Sequence, residues 1–278
     1  MGAGSFTVLV VCTGNVNRSA LGAALLERWV DWYLPSPLRA HVEVTSAGLR
    51  APVGAPMGPR ARVIAEALGA DGSGHRAVQI TEGMIRAADL VLVSSTRQRG
   101  SVLELVPGVV RSTFTMREAG RIAATLPPMP APETVDELRL RVAALAENRA
   151  VPGDRSGGDD IVDPEAKDDE AYREMARQQV PPLARLAQAL FGMPQGEADA
   201  YDAAAEAGEF AFGDAGGKTG AARKTGAARR SGTAGKAGTS GTPGTPGTPD
   251  TAGKAGTSGT PNTPDTPDQP RPRGRRQA

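Results

Sequence analysis

The segment Phe6-Thr-Val-Leu-Val-Val11 carries no charge and is rich in β-branched residues, and it runs straight into Cys12-Thr-Gly-Asn-Val-Asn-Arg18-Ser19. A strand that is apolar on both faces must be covered on both faces, which is the situation of a central strand in a parallel sheet. From Ser19 onward Leu21, Leu25 and Trp29 recur every four residues, the stripe of a helix packed on that strand. The order strand, loop, helix leaves the first N–H groups of the helix without intrahelical partners, so the loop between them is a natural cradle for an anion.

The rest of the chain repeats the alternation. Residues His41 to Ser46 alternate like a second strand, and Arg60 to Leu68 have helical spacing that stops at Gly69. Asp89 to Ser94 reads as a third, buried strand, Arg97 to Leu105 as a helix ended by Pro107, and Arg111 to Met116 as a short fourth strand. Thr134 to Asn148 is a capped helix rich in Leu and Ala, and Asp169 to Leu190 is expected to form another, interrupted near Pro181 and Pro182. The pattern predicts an α/β doubly wound fold: a mainly parallel, four-stranded sheet with helices on both faces.

From about Gly196 the sequence loses almost all Leu, Ile and Val, and the excess of the chain's 35 Gly and 23 Pro falls there. Such a segment buries too little apolar surface to offset the entropy of ordering. The expected organisation is one folded domain over residues 5–193 and a disordered, low-complexity tail over 194–278. The tail repeats itself, with Lys218 to Arg223 recurring as Lys224 to Arg229 and Thr233 to Pro243 as Thr251 to Pro261, in units too polar for a solenoid. Its basic clusters, up to Arg230 and over Arg271 to Arg276, would give at most a weak, salt-sensitive contact with a polyanion.

A net charge of +1 gives no reason to expect specific nucleic-acid binding or an anionic membrane as the main partner. Phe6 to Val11 is too short for a signal-peptide core, and no later run reaches the roughly 18 apolar residues of a membrane span. The N-terminal Met-Gly is followed at position 6 by Phe rather than Ser or Thr, unlike a myristoylation signal. The single cysteine cannot form an internal disulfide, and no spaced Cys/His set is present to hold zinc. Together these readings predict a cytoplasmic protein in a reducing compartment, with no metal and no cofactor.

Cys12 is therefore free to act as a thiolate. The helix N-terminus and the Arg18 guanidinium both favour the ionised sulfur, Gly14 permits the close-approach backbone of a cradle, and the planar fork of Arg18 can bond two phosphate oxygens. A buried cysteine after a strand is more often a small core residue, so the weight lies on the combination with Gly14, Asn15, Arg18 and Ser19. Further on, the polar loop Val151 to Asp163 holds three Gly and four Asp, the composition of a surface loop that carries functional groups. Spacing alone does not single out one of its aspartates.

These residues resemble the low-molecular-weight protein tyrosine phosphatases, whose loop reads Cys-x-Gly-Asn-x-x-Arg-Ser near the N-terminus; positions 12, 14, 15, 18 and 19 match. The resemblance extends to Thr45-Ser46-Ala47-Gly48, to His75-Arg-Ala-Val-Gln-Ile80 and to Asp163-Pro164, covering about Phe6 to Leu190. It implies Cys12 as nucleophile, Arg18 as phosphate clamp and Asp163 as general acid, with Thr13, Gly14, Asn15, Val16, Asn17 and Ser19 around the phosphate. It also implies that Ser46 and His75 support Asn15, and that the Ser19 hydroxyl donates to the thiolate. The reaction implied is hydrolysis of a phosphomonoester through a cysteinyl-phosphate, and the partner is a phosphorylated protein, such as one bearing phosphotyrosine, or a small phosphomonoester.

The chain departs from the family where aromatic residues often follow Asp-Pro, for here Glu165 and Ala166 follow, and only 4% of the chain is aromatic. Asn17 stands where a second loop cysteine is common, which removes the simplest protection of Cys12 against oxidation. Two other readings share the loop. One is arsenate reduction resolved by an external small thiol, since a single cysteine cannot run an internal relay; the other is a non-catalytic phosphate-binding module.

Overall fold

The computed structural model describes residues 4–149 and 158–213. Four strands, β1 (Phe6–Cys12), β2 (Val42–Gly48), β3 (Leu90–Val93) and β4 (Thr113–Thr115), form one sheet in the order β2-β1-β3-β4. Every pairing is parallel: Phe6 lies opposite Val42, Val8 opposite Leu90, and Leu92 opposite Phe114. The expected sheet is present, with all of its strands parallel.

Side chains alternate across the strands. Val8, Val10, Leu90, Leu92 and Phe114 enter one core, whereas Leu9, Val11, Val91 and Val93 enter a second on the opposite face. The first core is closed by α1 (Arg18–Tyr33), α3 (Pro59–Ala67), α6 (Met116–Ala123), α7 (Val135–Glu147) and α8 (Asp169–Phe191). Ile85 of α4 (Glu82–Ala87) and Val102 of α5 (Thr96–Leu105) help close the second. A four-residue helix, α2 (Ser36–Arg39), precedes β2.

Two expectations about the C-terminal half are corrected. Helix α8 is continuous over 23 residues, with Pro181 and Pro182 inside it. Each proline costs a helix interior about 3 kcal/mol. Packing outweighs this locally, because Gln179, Val180, Leu183, Ala184, Leu186, Ala187, Leu190 and Phe191 are all buried. The prolines also mark a helix crossing: a Cβ added to Gly120 of α6 would lie 2.4 Å from Pro182, so only glycine lets the two backbones meet.

The second correction concerns the boundary at 193. Beyond it lies α9 (Gln195–Ala207), which buries Ala198, Tyr201 and Ala205, and Phe210 and Phe212 join the same core. Tyr201 meets Trp29 of α1 edge to face at 4.9 Å, and Phe212 packs on Tyr172 of α8 at 6.2 Å. Aromatic and alanine side chains supply here the apolar surface that Leu, Ile and Val do not. The expectation of a disordered tail from 214 onward lies outside the described residues.

Candidate active site

β1 is flanked by β2 on one side and β3 on the other, so the carboxyl end of β1 is the switch point of the sheet, where open α/β folds place ligands. Cys12 is the last residue of β1, and the loop 13–17 leads from it to α1. The carbonyls of Cys12, Thr13 and Val16 accept hydrogen bonds from the N–H groups of Leu49 (3.0 Å), Arg50 (2.8 Å) and Gly58 (2.8 Å). With those carbonyls tied down, the loop's remaining donors are left for an anion.

Asn15 sets the shape of the loop. It is fully buried and has φ +55°, in the left-handed region that asparagine tolerates better than most residues. Its Nδ2 donates to Ser46 Oγ at 2.8 Å and Ser19 Oγ at 3.0 Å, and its Oδ1 accepts from the Val78 N–H at 2.8 Å. Its carbonyl oxygen lies 2.7 Å from His75 Nε2. A carbonyl only accepts, so Nε2 must carry the proton, which fixes the ring as the Nε2–H tautomer or the imidazolium. His75 and Ser46 thus both touch Asn15.

The Cys12 sulfur is buried, 3.2 Å from the Asn15 N–H and 3.0 Å from Ser19 Oγ. Because Asn15 already donates into a lone pair of Ser19, the hydroxyl proton is free to point at the sulfur, the arrangement a thiolate needs. On the other side, Thr13 Oγ1 accepts from Gln98 Nε2 at 3.1 Å, and Gln98 Oε1 accepts from the Ser94 N–H at 2.9 Å. Gly14 and Val16 are half-buried members of the same loop.

Arg18 is 5% exposed. One terminal nitrogen is paired with Asp163 Oδ2 and the other donates to the Ile161 carbonyl at 3.4 Å, while Nε is buried without a partner. Asp163 itself is half exposed and accepts a hydrogen bond from the Glu165 N–H at 3.2 Å. Asn17 donates to Glu165 Oε2 at 2.7 Å, joining the loop to the residues after Asp163 a second time. Arg18, which follows the Cys12 loop at the start of α1, and Asp163 therefore meet, although 145 positions separate them.

Gln98, Gln179 and Tyr172 were not foreseen. Gln179 of α8 donates to the Arg18 carbonyl at 2.8 Å. Burial pushes the Tyr172 phenol above its ordinary value, and the nearby Glu165 carboxylate adds to this. A long-range contact of this kind leaves no local pattern in the sequence. A cleft of about 950 Å³ is lined by Ser46, His75, Glu27 and Asp71 among others, but by neither Cys12 nor Arg18. It borders the supports of Asn15, and burial raises Glu27 within it, helped by Asp31 and Asp71.

Comparison with known proteins places the chain among relatives. Residues 7–118 match the family model described as low molecular weight phosphotyrosine protein phosphatase. The probable low molecular weight protein-tyrosine-phosphatase EpsP of Ralstonia solanacearum is 38% identical over 112 residues, 40% of this chain and 71% of that protein. A protein-arginine-phosphatase of Geobacillus stearothermophilus is 32% identical over 149 residues, 51% of this chain and 95% of that one. The solved YwlE arginine phosphatase from Geobacillus stearothermophilus aligns at a TM-score of 0.46 and 26% identity, covering 66% of this chain and 90% of that structure. Family model and relatives alike define a phosphatase, an enzyme. The chain belongs to the low-molecular-weight protein tyrosine phosphatase family. Among the described residues no helix is long and apolar enough to cross a membrane.

Proposed function

We propose that the chain hydrolyses phosphorylated protein side chains through a covalent intermediate on Cys12, in the cytoplasm. The Cys12 thiolate attacks phosphorus; Arg18 and the amides of Thr13, Gly14, Asn15, Val16 and Asn17 hold the equatorial oxygens; Asp163 gives a proton to the leaving oxygen. Water, deprotonated by the Asp163 carboxylate so formed, cleaves the cysteinyl-phosphate and restores the thiolate. Ser19 stabilises that thiolate as leaving group, and Ser46 and His75 keep Asn15 in place.

The observation that carries this reading is the state of Arg18: a buried guanidinium with an unpartnered Nε, sharing one end with a half-exposed carboxylate. A buried donor left unpaired is costly, and a phosphate oxygen would satisfy it. The test is p-nitrophenyl phosphate hydrolysis against pH in EDTA, with Cys12→Ser and Asp163→Ala beside the intact protein. Loss of turnover in the first and strong slowing in the second are expected. A silent intact protein that instead consumes arsenate with added thiol would replace this reading by arsenate reduction, and binding of phosphate without turnover by a non-catalytic module.

Phosphoarginine is a second candidate substrate. No ring follows Asp163-Pro164, and Tyr172, whose phenol feels Glu165 and Asp163, is 7% exposed and packed on Phe212, so little aromatic surface is offered to a phenyl group. One relative is itself named a protein-arginine-phosphatase. Parallel assays on phosphotyrosine and phosphoarginine peptides separate the two.

A further inference from the structure

The turn that carries Asp163 is not stable by its own geometry. Ala166 has φ +58°, a conformation that residues other than Gly and Asn seldom adopt, and within the turn the hydrogen bonds are Lys167 N–H to the Pro164 carbonyl at 3.0 Å and Glu165 N–H to Asp163 Oδ1 at 3.2 Å. Two side-chain links tie it to the phosphate loop: Arg18 to Asp163, and Asn17 to Glu165. In the proposed reaction the first link is given up. Substrate oxygens compete for the guanidinium, and Asp163 must turn to the leaving oxygen as a neutral acid, which weakens its pairing with Arg18.

We propose that Asn17 and Glu165 are positioning residues that hold the acid turn over the phosphate loop once substrate has taken Arg18 from Asp163. The proposal rests on the phosphatase reading. Asn17 is firmly fixed on its side of the link. It is 4% exposed, and its Oδ1, buried without a partner, lies 2.2 Å from where a Cβ on Gly58 would sit, so the glycine leaves room for the amide. The carboxylate of Glu165 requires that Nδ2, not Oδ1, face it, and a hydrogen bond to an ionised acceptor is stronger than a neutral one. A link independent of Asp163's protonation state keeps the acid in reach while its own charge changes.

The test exploits leaving-group chemistry. p-Nitrophenolate, the better leaving group, depends less on a proton from the acid than phenolate, from phenyl phosphate, does. Glu165→Ala is expected to lower kcat for phenyl phosphate by about tenfold, a part of the 10²–10⁴ that a general acid supplies, with KM little changed and p-nitrophenyl phosphate much less affected. Glu165→Gln keeps an acceptor oxygen and is expected to recover most of the loss. In an Asp163→Ala background Glu165→Ala should add nothing, since the group it positions is gone. Equal losses on both substrates, no loss, or additivity with Asp163→Ala would overturn the proposal. Amide hydrogen exchange across residues 158–170 gives a readout that needs no turnover, and it is expected to quicken in Asn17→Ala and Glu165→Ala but not in Glu165→Gln. An intact protein that hydrolyses neither ester refutes the phosphatase reading, and unchanged exchange in both variants refutes the link.

Discussion

Replacing Asn15 by alanine removes three side-chain hydrogen bonds, to Ser19, Ser46 and the Val78 N–H, from a residue with no exposed surface. At about 0.5–1.5 kcal/mol net for each bond, the loss is roughly 1.5–4.5 kcal/mol. Alanine must also hold φ near +55°, where an L residue pays about 1–2 kcal/mol that asparagine partly avoids. A total of about 2–6 kcal/mol is a large share of the roughly 5–15 kcal/mol that usually separates folded from unfolded chains. Urea unfolding followed by circular dichroism measures it, as a lower midpoint at unchanged slope. Glycine sharpens the test. Asn15→Gly loses the same bonds without the left-handed strain, against about 0.4–1 kcal/mol of extra unfolded-state entropy, so it should be the more stable variant by up to about 1 kcal/mol. Glycine is ordinarily the worse substitution. A loss below about 1 kcal/mol in Asn15→Ala, or alanine outranking glycine, would refute the argument that the positive φ and the buried amide hold the loop.

Other outcomes follow from the same geometry. Ending the chain after Gly213 should leave the melting temperature unchanged, whereas ending it after Met193 should lower it, because Trp29 and Tyr172 lose Tyr201 and Phe212; equal melting temperatures would refute the packing of α9. Gln98→Ala removes the donor to Thr13 Oγ1 and the acceptor of the Ser94 N–H, and turnover is expected to fall several-fold, checked on p-nitrophenyl phosphate. Activity should persist in EDTA, and peroxide should abolish it with sulfenic acid at Cys12 detectable by mass spectrometry. Burial, with Glu197 and Tyr201 adding to it, pushes Tyr33 up to about 12, and burial likewise raises Tyr172 and Tyr201. For an acid with a raised folded value, the unfolded chain ionises first, so this stability is complete below the ordinary tyrosine range near 10 and is lost as pH rises toward 12. Phenolate absorbance at 295 nm should accordingly lag that of the urea-unfolded chain.

The parts of the fold that could be read from sequence are those whose cause is local. The run Phe6 to Val11, the caps at Thr134 and Asp168, and the loop from Cys12 to Ser19 each announce themselves within a few residues. The capping box of Thr115 and Glu118 was equally local and marks a helix directly after β4, which a reading centred on strand periodicity passes over. Helix α9 hides for a compositional reason: Ala198, Tyr201 and Ala205 have helical spacing, yet a search for Leu, Ile and Val sees nothing. The links from Asn17 to Glu165, from Gln179 to Arg18 and from Gln98 to Thr13 span 148, 161 and 85 positions, and no periodicity encodes a contact at that range.

Those distant links share a physical logic, because α8 is a common beam. Near its start the Tyr172 phenol feels the carboxylates of Glu165 and Asp163; midway Gln179 donates to the Arg18 carbonyl; at its end the buried Arg141 donates to the carbonyls of Ala189 and Leu190. The backbone contact of Pro182 with Gly120 fixes where α8 crosses α6, and α9 with Phe212 closes its outer side. A rigid-body shift of α8 would therefore move the support of Arg18 and the setting of Glu165 together. On this argument, the chain beyond Met193 acts on the site through α8, and its removal should reduce turnover of poorly leaving esters before it unfolds the domain, whereas cutting at Gly213 should not.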